Sequence, residues 1–379
     1  MIELRASGPL TSVQDRGRDG HRRLGVPRSG VLVPAWMAIA NALVGNAPND
    51  PVLECFEGGL RLASGERALR VAFAGDVDAA LVDGAVRRTL APWRSHRVPP
   101  GAELALRGTG RARVAVLAVR GLAVPPTLGS AATCARVGLG GLAGRALADG
   151  DRLPLDETAE EETRAHDLGC APFALPEDAP RLRAVPGPQH DAFTDETLER
   201  FFASEWTLSN EVDRMGARLE GPTLSHRDET RRDIVSDAIV PGSVQVPGSG
   251  QPIVMLADAH TAGGYPKIAT VASADLPVLA IHRPGTRLRL ERVDVDAAIA
   301  RARAAERALE RHLASLAPLP PEAPDTERLL AHNLIDGVTD GAVERRVRGP
   351  AAPDAGGRTV RTPGAPPDPS PSVTEPGHR

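Results

Sequence analysis

The sequence holds a single lysine and a single tyrosine in 379 residues. Both lie in "TAGGYPKIAT", residues 261–270, as Tyr265 and Lys267. Aromatic residues make up 3% of the chain, so its cores must be built from Val, Leu, Ile and Ala. The three cysteines, Cys55, Cys134 and Cys170, are odd in number, far apart and outside any C-x-x-C spacing. That disfavours a disulfide framework or a zinc site and suits a reducing cytoplasm, the expected location. No run approaches the roughly 18–20 apolar residues of a membrane span, so no membrane association is expected. "MIELRASGPL" lacks the charged-then-apolar pattern of a signal peptide. Acids and bases are interleaved at a net charge of -4, with no basic stripe to track phosphates, so nucleic acid is not an expected partner.

Apart from Lys267, all of the 45 lysines plus arginines are arginine. With abundant Ala, Gly and Pro, this looks like compositional drift from a GC-rich genome, which removes lysine wherever arginine serves. A survivor then marks a place for a compact ammonium rather than a planar fork. The plainer alternative is a remnant without a role. Hydrophobic content of 41% and charged content of 25% are ordinary for a globular protein, and the length suits about two domains.

Residues 1–158 read as short strands punctuated by Gly and Pro, as in "ALRVAFAGDVDAALVDG" (68–84) and "RARVAVLAVRG" (111–121). Such spacing predicts a β-barrel or sandwich. One helix interrupts it at 34–46, opened by Pro34 and stopped by Gly45, with Trp36, Ile39, Ala40 and Leu43 on one face. An acidic, then Pro-bearing stretch around 159–180 reads as a linker. A second β segment covers 181–293, with a helix at 194–206 capped by Thr194. "HRVPPGAELAL" (96–106) echoes "HRPGTRLRL" (282–290), and "VAFAGD" (71–76) echoes "IVMLAD" (253–258), which suggests two related halves. A helix is expected over 294–317 with Asp294 as its cap. The tail, 318–379, is rich in Pro and Gly and is expected to be disordered, with a short helix within 325–336.

The densest chemistry lies in 239–268, "IVPGSVQVPGSGQPIVMLADAHTAGGYPKI". Gln245 lies between two valines. Asp258 ends an apolar strand, where a carboxylate is costly unless paired. His260, the pair Gly263 and Gly264, Tyr265 and Lys267 follow. An acid, an amide, an imidazole and an ammonium around a glycine pair can bind an anion, polarise a carbonyl or move a proton. The structural alternative is that Asp258 caps a turn and pairs with Lys267. Two weaker candidates are 8–30, with Gln14, Asp15, Arg28 and Ser29, and 210–221, where Asp213 and Arg214 could form an ion pair. "GLGGLA" (138–143) lacks the strand–turn–helix context of a dinucleotide site and reads as a loop. Neither a G-x-x-x-x-G-K-[ST] loop nor a G-x-S-x-G elbow occurs, and no metal site is expected.

Several ordered motifs carry a resemblance: "GPLTSVQDRGRDGHRRLGVPRSG", "ANALVGN", "LGSAAT", "VDRMGARLEG", "VQVPGSGQPIVMLADAHTAGGYPKIA" and "DLPVLAIHRPG". From about residue 2 to 292 the chain resembles one family with three branches: the C component of bacterial 5-oxoprolinase, allophanate hydrolase subunit 2-like proteins and the carboxyltransferase module of urea carboxylase. The resemblance implies a mainly β fold of two cyclophilin-like β-barrel domains. It implies the B and A components of 5-oxoprolinase as partners, with ATP and Mg used in the complex to open 5-oxo-L-proline, a cyclic amide, to L-glutamate. On it, Lys267 and His260 are expected to contact a carbonyl or phosphate, Asp258 to orient or act as base, and Gln245 to read an amide. Gly263, Gly264, Tyr265, Gln14, Asp15, Arg28, Ser29, Asp213 and Arg214 complete the expected substrate-binding set. The chain departs from the family pattern at Val33, Ala131, Val212, Ser236–Ala238, Ala262 and Ile281. Two further readings remain. One is a carboxyltransferase component acting on urea or an amide, with biotin on another chain because the lone lysine is not flanked by methionines. The other is a non-catalytic module that sequesters a kinase inhibitor resembling the B component.

Overall fold

Successive side chains of a strand face opposite sides, so alternating apolar residues decide most of this architecture. The computed structural model describes residues 1–156, 166–174 and 176–320. The fold is mainly β, as expected, with four helices among the described residues. In the first half one antiparallel sheet runs Arg152–Leu153, Ile2–Ser7, Leu60–Ala63, Glu103–Thr109, Val77–Asp83, Val86–Leu90. A second runs Leu10–Gln14, Val52–Phe56, Val114–Val119, Leu69–Ala74, Ser95–Val98.

The strand Val114–Val119 is buried along its whole length. Ala115, Leu117 and Val119 fill the core of the first half. Val114, Val116 and Ala118 face the other way, into a core shared with helix α1 (Pro34–Val44) and the second half. A strand covered on both faces reads as an unbroken apolar run, which is what "VAVLAV" is. Leu168, Cys170 and Phe173, within the stretch 159–180 where a linker was expected, pack against this core. α1 starts at a proline and stops at Gly45, whose φ of 82° is left-handed. Its Trp36 indole donates to the Phe173 carbonyl at 2.8 Å, drawing that stretch onto the core.

The second half closes into a seven-stranded barrel: Arg181–Pro186, Lys267–Val271, Ser243–Gln245, Ile253–Met255, Gly216–Glu220, Glu205–Val212, Arg287–Arg292. Parallel pairing of the first strand with the last completes the ring. Helix α2 (Asp195–Ala203) is capped by the Thr194 side chain, as expected. It ends before 206 because Glu205 already starts a strand, and the Trp206 indole donates back to the Phe201 carbonyl at 3.0 Å. Helix α3 (Leu276–Ile281) has no counterpart among the expected elements; six residues are too few for a period to show. Two echoing segments enter strands through glycines with left-handed φ, Gly101 at 75° and Gly285 at 87°.

Helix α4 (Val295–Ala314) has the expected Asp294 cap but stops three residues short of 317. The chain then turns, and Ala317–Pro318 pairs with Leu168–Gly169. Residue 318, the expected start of the tail, is therefore part of a bridge. The rest of that tail, from 321, and the short helix within 325–336 lie outside the described residues. No helix among the described residues is long and apolar enough to cross a membrane.

Leu117 is wholly buried whereas Val86 is 67% exposed. Leu117→Ala is expected to lower stability by about 2–5 kcal/mol and Val86→Ala by about 0.5 or less. Urea denaturation checks both; equal losses would refute the assignment of the first core.

Candidate active site

A charge in a dry interior must find a partner. Glu54 is the one acid in the apolar strand Val52–Phe56 and is fully buried, on the face turned toward the second half. Its Oε2 accepts from the Leu32 amide at 2.6 Å, and its Oε1 accepts from Arg214. Arg214 sits in the turn between two strands of the barrel. It donates from Nε and Nη2 to Asp258 Oδ2 and Oδ1 at 3.0 and 3.2 Å, and from Nη2 to the Gly30 carbonyl at 2.6 Å. Burial raises the pKa of Glu54, and Arg214 and the Leu32 amide only partly offset it. For Arg214 burial works against the charge, but Glu54 and Asp258 outweigh it and push the pKa up.

Three expected site residues, Asp258, Arg214 and Asp213, lie in or beside this arrangement. Both oxygens of Asp258 are engaged by Arg214, and Asp258 does not pair with Lys267. Asp213 does not pair with Arg214; its Oδ1 accepts from the Met215 and Gly216 amides at 2.7 and 3.1 Å and shapes the turn that presents Arg214.

The segment 8–30 acts mainly as a brace. Asp15 accepts from Ser130 Oγ and the Gly17 amide on Oδ1, and from the Ala131 amide on Oδ2. Gln14 Nε2 donates to Ser12 Oγ at 2.8 Å and the Thr133 carbonyl at 3.1 Å. Arg18, almost fully buried, donates to the Ala132 carbonyl. All three hold the loop that begins at Ser130. Ser29, with a left-handed φ of 55°, donates its amide to the Ala257 carbonyl at 3.1 Å, and Arg28 pairs with exposed Asp19 at 2.7 Å. Arg22 reaches across to the Ile239 and His260 carbonyls.

Lys267 lies almost fully buried on the strand Lys267–Val271, with Nζ 2.9 Å from Asp237. Gln189 Nε2 donates to the same Asp237 oxygen at 2.9 Å. These two donors, Lys267 first, hold the Asp237 carboxyl down at about 2. Asp237 is paired across a two-stranded ribbon with Gly263. Gln245 is the register partner of Lys267. A Cβ on Gly263 would come 2.9 Å from Gln245 Nε2 and 2.5 Å from Ile239 Cδ1, so a larger residue there would displace the ends of those two side chains. Gly264 accepts from the Ile234 amide at 2.7 Å, and Tyr265 is 42% exposed at the rim of this loop.

Beside this group opens a cleft of about 500 Å³, lined among others by Gln245, His260, Asp213, Arg136, Glu211 and Arg218. That volume suits a small molecule. Among the described residues, neither the Gln245 amide nor the His260 ring is committed to a hydrogen bond within the protein. The cleft can therefore read an N–C=O group and exchange a proton. The structure thus brings Gln245, His260 and Asp213 to one cleft and Lys267 alongside Gln245. It sets Asp258 and Arg214 in a separate ion cluster, and Gln14, Asp15, Arg28 and Ser29 in the brace. Glu54, Arg18, Arg22, Arg136 and Asp237 fall outside the expected set. Only Glu54 carries a signal in the sequence, as a lone acid in an apolar strand.

A family model described as "Carboxyltransferase domain, subdomain A and B" matches residues 24–292. The chain is 38% identical over 283 residues to the C component of 5-oxoprolinase from Escherichia coli, covering 74% of this chain and 87% of that protein. It is 35% identical over 299 residues to the C component of 5-oxoprolinase from Haemophilus influenzae, covering 79% and 93%. Among solved structures, the urea carboxylase of Kluyveromyces lactis superposes with a TM-score of 0.71 at 27% identity, covering 82% of this chain and 29% of that one.

Two measurements test the geometry. Arg214→Met leaves Glu54 and Asp258 without their cation and is expected to cost about 3–5 kcal/mol in urea denaturation; a loss under about 1 kcal/mol would exclude the cluster as the joint between halves. The Asp237 pKa is depressed, so its ion pair with Lys267 is present above the ordinary carboxylate value of about 3.9 and is lost only as pH falls through about 2. Carboxyl-carbon NMR should place that midpoint near 2, and nearer the ordinary value in Lys267→Met.

Proposed function

The chain belongs to the carboxyltransferase subdomain A and B family, and from that premise we propose that it is the C component of an ATP-dependent 5-oxoprolinase. In this reading it acts with the B component to activate 5-oxo-L-proline, and the A component completes hydrolysis to L-glutamate. The observation that supports it best is extent. The match runs over nearly all of both 5-oxoprolinase relatives but under a third of the urea carboxylase chain.

A lactam carbonyl is a poor electrophile. ATP, bound by the complex, would supply the phosphoryl group that makes this carbonyl a better electrophile. Gln245 is placed to pair with the N–C=O edge, its amide offering one donor and one acceptor to the complementary pair. His260 is placed to accept or return a proton. Lys267, fixed by Asp237, stands at the register position opposite Gln245 and adds a cation on that side of the barrel wall. Asp258 and Arg214 support the turn that carries Asp213. ATP and Mg belong to the complex as a whole; no step through them is derived from this chain, where no cluster of three or more His, Cys, Asp or Glu among the described residues could hold a metal ion.

The fold similarity to a urea carboxylase supports a second reading, transfer of a carboxyl group to urea or an amide from biotin carried on another chain. An assay of this chain with the purified A and B components and ATP discriminates the two. The first reading expects glutamate release from 5-oxoproline that is insensitive to avidin, with kcat/KM lowered about 10²-fold by His260→Ala or Gln245→Ala. Avidin-sensitive consumption of bicarbonate and urea, without glutamate release, would replace it with the second.

A further inference from the structure

The cleft contains two guanidinium groups, and they differ in kind. Arg218 is matched by Glu211 at 2.9 Å. Arg136 is not matched: among the described residues it makes no ion pair or hydrogen bond, although Asp213 and Glu211 line the same cleft. Asp213 is turned to its own backbone amides and Glu211 to Arg218.

Arg136 is also firmly presented. It is the middle residue of the one-turn helix Ala135–Val137. Cys134 and Leu139 exchange two backbone hydrogen bonds around it, at 2.8 and 3.2 Å, and the Gly141 amide donates to the Ala131 carbonyl at 2.9 Å. Gly138 ends the turn with a left-handed φ of 65°. Beneath, buried Arg18 donates to the Ala132 carbonyl, and any Cβ on Gly140 would come 2.5 Å from its Nη2. The loop of the first half is thus pinned with Arg136 held over the cleft that Gln245 and His260 line from the second half.

We infer that Arg136 is the specificity-determining residue of this cleft and that it selects a substrate carrying a carboxylate beside its amide. The inference rests on the reading of the cleft as the substrate site. A planar guanidinium binds a carboxylate through two parallel hydrogen bonds. With Gln245 on the N–C=O edge and Arg136 on the carboxylate, a cyclic amide would be held at two points, which fixes which face of the carbonyl meets His260. An uncharged amide such as urea would leave Arg136 unused.

Calorimetric titration of the full chain, by itself and with the B component, against L-5-oxoproline and its uncharged counterpart 2-pyrrolidinone tests this. The wild type should prefer the carboxylate-bearing lactam by at least about tenfold. Arg136→Gln should lose about 10–100-fold in affinity for 5-oxoproline, bind 2-pyrrolidinone unchanged, and be partly rescued by Arg136→Lys. Because Arg136 is exposed, both variants should melt as the wild type does. In the assay with all three components the loss should fall on KM rather than kcat. Equal binding of the two lactams by the wild type, or a preference that survives in Arg136→Gln, overturns the inference. Glutamate release indifferent to Arg136 sinks this inference but spares the proposed activity. Carboxylate binding that depends on Arg136 without glutamate release does the reverse.

Discussion

The joint of the molecule is an arginine between two acids. Arg214 comes from a turn of the closed barrel and Glu54 from a strand of the other half, with Asp258 holding the guanidinium from its far side. Removing these charges from water costs several kcal/mol per ion, and the Leu32 amide and Gly30 carbonyl offset part of that by filling remaining hydrogen-bond positions. The halves also share an apolar core, but apolar contact is non-directional. An ion cluster with directed hydrogen bonds admits one register, so the loop carrying Arg136 and the strand carrying Gln245 meet in one geometry. The mixed polar seam therefore serves the cleft more than it serves net stability.

Around this joint the remaining polar residues take graded roles. The segment from Gln14 to Ser29 makes few contacts with solvent-facing chemistry and many with backbone. It holds the 130–133 stretch and, through Arg22, the carbonyl of His260. On the other side Asp237 and Gln189 anchor Lys267. Among the described residues, what remains uncommitted at the cleft is small: the Gln245 and Asn210 amides, the His260 imidazole and the Arg136 guanidinium. That economy is what a site for a small polar molecule requires, because each committed group has already used its hydrogen bonds.

Much of the fold is legible in the sequence because its signals are local. Pro34 and Gly45 bracket α1, Thr194 and Asp294 cap α2 and α4, and the Gly and Pro spacing marks the strands. The stretch 236–238 stands out in the sequence only as a departure from a family pattern, yet Asp237 is the partner of the lone lysine. Ion pairing across more than 20 residues leaves no periodic trace. For the same reason Asp258 looks like free chemistry in the sequence, whereas Arg214, 44 positions away, claims it in the fold. Charge type and spacing identify the right segment of the chain, 239–268. Which of its polar groups face solvent, and which face each other, depends on barrel closure and on a strand from the other half.

The single lysine has one more consequence. Its ammonium is the only side-chain amine in the chain and is 2% exposed, tied to Asp237. The side chains of the folded surface therefore present no lysine amine for acylation, imine formation or conjugation. A label appearing on Lys267 would record an opening of the barrel wall rather than the chemistry of the surface, which makes this residue a built-in reporter of local unfolding.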